Sequence, residues 1–125
     1  MNQTRPLSQR IDRATVALVV HAFYRRVLSE RELAPYFAHV KDWPEHESHI
    51  TDFWWGLMGG RVAQPRPNAM EAGHRELHFG PETLELWLAL FEQSLQQELP
   101  AETAEQWTLL ARRLGQRMSE HGLVR

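Results

Sequence analysis

Apolar positions along the chain recur at steps of three and four and never alternate over a sustained stretch, so the pattern predicts helices and no sheet. Val16, Val19, Val20, Phe23, Tyr24 and Val27 fall on one broad helical face, with Arg25, Arg26 and Glu30 left for solvent; a shorter turn precedes them from near Ser8. Arg31 to Phe37 reads as a turn and a short helix, because Pro35 suits only a first turn or a bend, and Phe37 is expected to point inward. Trp43-Pro44 starts the next helix, which runs to about Gly59-Gly60; His46, Ile50, Phe53 and Leu57 form its predicted core stripe. Residues 59–73 carry two prolines and no periodicity, the mark of a loop, and a short turn holding His74 and Leu77 follows.

Gly80-Pro81-Glu82 then opens a helix whose predicted buried face is Leu84, Trp87, Leu88, Phe91 and Leu95. Pro100 stops it, and Ala101-Glu102 begins a last helix that buries Ala104, Trp107, Ala111, Leu114 and Met118 before Gly122. The short connection makes these two helices antiparallel neighbours. The predicted class is all-α.

A chain of 125 residues fits one domain, taken as residues 1–125 with an ordered core of about 11–121. Net charge is -2, from 14 basic against 16 acidic residues, which lacks the positive excess that drives phosphate binding; nucleic acid is not an expected partner. The absence of cysteine removes disulfides, thiolate-held zinc and thiol catalysis. Neither a signal-like apolar segment at Met1–Arg10 nor a membrane-length apolar run occurs, so a cytoplasmic location and no membrane partner are expected.

Seven histidines, five tryptophans and five phenylalanines supply the candidate chemistry. The pairs His46/His49 and His74/His78 are spaced to share helical faces and can each clamp a metal, but no His-Glu-x-x-His motif completes a zinc site. Ser29, Ser48, Ser94 and Ser119 lack the glycine-flanked elbow of a serine nucleophile, and Gly59-Gly60 lacks a phosphate-loop lysine. Tyr24 and Trp87 each carry a donor that needs an acceptor once buried, which a polar ligand in a shared pocket would provide. Met58, Met70 and Met118 read as packing residues.

Phe23-Tyr24, Leu33-Ala34-Pro35-Tyr36-Phe37, Trp43-x-x-His46, Phe53-Trp54, His74 and Trp87-Leu88-x-Leu90-Phe91, in this order, resemble the group III truncated haemoglobins over about residues 11 to 118. The resemblance implies a two-over-two helical sandwich around haem b. It implies His74 as the proximal iron ligand, Tyr24, His46 and Trp87 on the distal, ligand-binding side, and Phe37 and Phe53 among the residues lining the haem. His78, four residues after His74, stands where relatives commonly have proline and is the competing ligand; the separation of His74 from Trp87 matches the family. Arg66-Pro67-Asn68-Ala69-Met70 also departs from the Tyr-x-Gly-x-Pro-like stretch common before the proximal histidine.

By that resemblance the expected function is binding of dioxygen or another diatomic ligand, with the Tyr24 and Trp87 donors each adding about 1 kcal/mol to its retention in a dry pocket. Slow release follows from two such donors. It leaves room for a haem redox enzyme, a nitric oxide dioxygenase or a peroxidase-like activity with an external redox partner. A cofactor-free helical interaction module, in which every histidine and tryptophan is structural, is the reading from a different class.

Overall fold

Each helix begins where the sequence offers its free N–H groups a partner or removes the need for one. The computed structural model describes residues 6–62 and 80–120, the last three by backbone alone. A 3-10 turn at Leu7–Gln9 precedes helix α1 (Arg13–Ser29). Asp12 caps α1, accepting from the Thr15 backbone N–H at 2.8 Å and from the Thr15 hydroxyl at 2.7 Å. Asp42 does the same for α2 (Trp43–Leu57), accepting from Glu45 N–H at 3.1 Å, and Pro44 sits in a first turn where its missing N–H leaves no gap. Gly59, at φ 100°, turns the chain away from α2 in the left-handed region that glycine tolerates. Helix α3 (Pro81–Glu98) has proline at its start and Glu82 in its first turn; Leu99-Pro100 then breaks the chain before α4 (Ala101–Glu120).

Helix α1 packs on α2 and on α3, and α3 packs on α4. Trp54 of α2 crosses between the two layers, lying stacked on Phe91 of α3 at 5.2 Å and 15° and touching Trp107 of α4 at 5.7 Å. The result is the expected two-over-two arrangement, with no strand among the described residues. Its core holds Val16, Val19, Val20, Phe23 and Val27 with Leu84, Leu88, Phe91, Leu95, Ala104, Trp107, Ala111 and Leu114, as the spacing predicts.

Two expectations are corrected. The buried stripe of α2 is not His46, Ile50, Phe53 and Leu57: Thr51, Trp54 and Met58 are buried, the first three are only half-buried, and Leu57 is 38% exposed. The large Trp54 ring sets the rotation of the helix, and Thr51 tolerates burial because its hydroxyl donates to the Glu47 carbonyl at 2.7 Å. Nor is Arg26 left for solvent. Its guanidinium donates to Ser94 at 3.1 Å and to Gln97, tying α1 to α3, while the buried Ser94 hydroxyl donates to the Leu90 carbonyl at 2.9 Å. The predicted turn with His74 and Leu77, the rival His78, and residues 63–73 of the predicted loop lie outside the described residues, as does the side chain of Met118.

Candidate functional site

The 3-10 turn at Ala34–Phe37 and the first turn of α2 bring four rings together against α1. Phe37 is carried inward by the bend at Pro35, and Trp43 and His46, three residues apart, share one helical face. Tyr24 of α1 lies between them. Its ring centroid is 5.1 Å from His46, 5.3 Å from Trp43 and 5.5 Å from Phe37. His46 meets Trp43 at 5.3 Å and 83°, and Phe37 at 6.2 Å. Tilted and edge-on contacts of this kind are the favoured geometry for aromatic neighbours.

Burial gives the cluster its electrostatics. Tyr24 is 4% exposed, and that burial, with the Glu47 carboxylate adding to it, pushes the phenol far above its usual range, so it stays a neutral donor. His46 goes the other way: burial first, then the neighbouring His39 and His49, holds its pKa below the ordinary histidine value against the opposing pull of Glu47. Glu47 itself pairs across to His21 of α1 at 2.9 Å, and His49 leans toward Glu45 at 3.7 Å. The His46 Nε2 is buried and has no hydrogen-bond partner among the described residues. Leaving such a nitrogen unpaired costs about 1–3 kcal/mol, so the atom marks a place for a polar group.

Of the predicted site residues, the structure brings Tyr24, Phe37 and His46 into one cluster. Trp87 joins indirectly: Phe23 touches Tyr24 at 5.3 Å and Trp87 at 5.1 Å. Trp87 is half-buried while the rest of its predicted stripe is buried, and it stacks on Phe91 at 5.2 Å and 17°. Phe53 is half-buried beside Trp54, at 5.4 Å, and makes no ring contact with the cluster. His74 lies outside the described residues.

The sequence reading missed Trp43 as a lining residue, although its place three positions before His46 carried the signal. Among the described residues no three His, Asp or Glu side chains converge as a metal-binding group. An open groove on another side of α1, between it and α3, mixes Arg25 with Glu30 and Glu98 and contains no aromatic ring, so it offers none of this chemistry. No helix among the described residues is long and apolar enough to cross a membrane.

Comparison with known proteins agrees with this architecture. The family model for bacterial-like globins matches residues 11–120. The group 3 truncated hemoglobin ctb of Campylobacter jejuni is 30% identical over 93 residues, which is 68% of this chain and 70% of that protein. The crystal structure of a group III truncated hemoglobin from Campylobacter jejuni superposes with a TM-score of 0.76 at 28% identity, covering 89% of this chain and 91% of that one. A group II truncated hemoglobin from Bacillus anthracis, at 20% identity and a TM-score of 0.78 over 94% and 92% of the two chains, shares the fold.

Proposed function

From the premise that this chain belongs to the bacterial-like globins, and among them to the group III truncated haemoglobins, we propose that it binds haem and holds dioxygen or another diatomic ligand beside Tyr24, His46 and Trp87. The observation that carries this reading is the buried, unpartnered His46 Nε2 within a cage of Tyr24, Phe37 and Trp43. A purely structural histidine in that position would be expected to find a partner or turn to water.

When bound, haem would supply an iron centre able to take a diatomic ligand. His74 would hold the iron, because it precedes the Gly80-Pro81 start of α3 at the family's separation from Trp87. Tyr24 donates from its phenol, kept protonated by burial, and orients a ligand with negative charge on its outer atom. Trp87, half-buried at the end of the Phe91 stack, would add its indole N–H as a second donor to the ligand. Phe37 and Phe53 supply apolar surface, and the aromatic walls exclude water, which strengthens each of these hydrogen bonds.

An absorption spectrum of the purified protein tests the reading directly. A Soret band that persists in His78→Ala and is lost or altered in His74→Ala is expected; its absence from the parent protein, or dependence on His78 alone, would overturn the assignment.

A further inference from the structure

We propose that Trp43 is the outer gate of the pocket, a positioning residue that keeps the His46 ring inside and admits only ligands of diatomic size. The size limit rests on the haem reading above; the hold on His46 does not.

His46 occupies an unfavourable place. Its Nε2 is buried without a partner among the described residues, and its half-buried ring lies near the start of α2. Water would offer that nitrogen a hydrogen bond at once, so packing must hold the ring in. Among the described residues three rings touch it: Tyr24, Phe37 and Trp43. Tyr24 and Phe37 are buried, at 4% and 5% exposure, whereas Trp43, like the His46 ring itself, is half-buried. Trp43 in turn is braced by Tyr24 at 5.3 Å and Phe37 at 6.4 Å, and its backbone is fixed by the Asp42 cap and Pro44. Trp43 meets His46 edge-on, at 5.3 Å and 83°, and is the half-buried one of the ring neighbours that hold it.

The charged and titratable surroundings of His46 are mixed in sign. His39 from the connector before α2 and His49 on α2 disfavour a proton on His46, Glu47 on α2 favours one, and Tyr24 from α1 is neutral; Glu47 is itself engaged by His21 from α1. A ring that stays inside takes up a proton less readily. A ring released to solvent regains an ordinary histidine titration.

The test uses Trp43→Ala and Trp43→Phe, each checked by circular dichroism for parental helix content, with His46→Gln to identify the His46 resonance. Proton NMR titration is run on the protein as purified, in the ferrous carbonyl form if it carries haem. Trp43→Ala should raise the His46 pKa toward the ordinary histidine value, and Trp43→Phe should leave it near the parent's. Association of n-butyl isocyanide, relative to carbon monoxide, should rise about tenfold in Trp43→Ala and change little in Trp43→Phe. If Trp43→Ala does not fold, Trp43→Leu replaces it, since it also removes the ring while keeping apolar bulk. An unchanged His46 titration in a folded ring-less variant overturns the proposal, and so does equal isocyanide entry in the parent, Phe and Ala proteins. A protein that purifies without a Soret band defeats the haem reading, while the titration still decides the hold on His46.

Discussion

The molecule contains two aromatic clusters that do different work. In the deep one, Trp87, Phe91 and Trp54 lie nearly parallel in succession, with Trp107 set edge-on, and Phe91, Trp54 and Trp107 are almost wholly buried. Its rings come from α2, α3 and α4 and join the two layers. In the outer cluster, Tyr24, Phe37, Trp43 and His46 are all tilted or edge-on; two members are half-buried, two are titratable, and one nitrogen lacks a partner among the described residues. The first cluster maximises buried area. The second tolerates a polar cost at one atom, as ligand sites commonly do. The Trp107 Nε1 is also buried without a partner among the described residues, in a ring that packs on Trp54 and Phe91.

Substitutions should separate the two. The largest effect is expected from Trp107→Ala, which removes a fully buried indole and leaves a cavity among Trp54, Phe91 and Ala111; about 3–5 kcal/mol of stability should be lost. Urea unfolding measures it. A loss no larger than that for Trp43→Ala would erase the distinction between scaffold and pocket.

Tyr24→Phe should act in the opposite register, on ligand and hardly on fold. It removes one hydroxyl from the outer cluster and keeps the ring contacts, so a lost hydrogen bond of about 1–2 kcal/mol predicts roughly five- to thirty-fold faster dioxygen release. Carbon monoxide, with little charge on its outer atom, should respond much less. Stopped-flow dissociation rates for both gases provide the comparison, and unchanged dioxygen release in both Tyr24→Phe and Trp87→Phe would return the two residues to simple packing.

The smallest effect is the pH dependence contributed by His46. Because its folded-state pKa is depressed, the unfolded chain binds the proton more readily; this stabilising contribution is present above the ordinary histidine range and is lost as pH falls through the folded value. Thermal unfolding of parent and His46→Gln between pH 7 and pH 5 should therefore show a shallower fall in the variant. An identical pH slope would mean that His46 is not held in the neutral state.

Much of the fold was legible because it depends on local rules. Helix starts at Arg13, Trp43, Pro81 and Ala101 follow from Asp caps and prolines, and the stripes of α1, α3 and α4 follow from periodicity alone. On α2 periodicity was ambiguous, since His46-Ile50-Phe53-Leu57 and Thr51-Trp54-Met58 both satisfy helical spacing. Trp54 resolved it by stacking across the layers, a contact between residues 37 positions apart from Phe91 that no local pattern encodes.

The site divides along the same line. The residue types and the order Tyr24, Phe37, His46, His74, Trp87 stand in the sequence, and with them the chemistry that a haem pocket requires. Which of them meet was decided by tertiary packing: Tyr24, Phe37 and His46 touch, Trp87 is linked through Phe23, and Phe53 stands apart beside Trp54. Trp43 became visible as a wall only once α1 and α2 were docked, because ring contacts and the burial of a single nitrogen depend on how helices are set against each other, and spacing along one helix fixes only which side chains share a face.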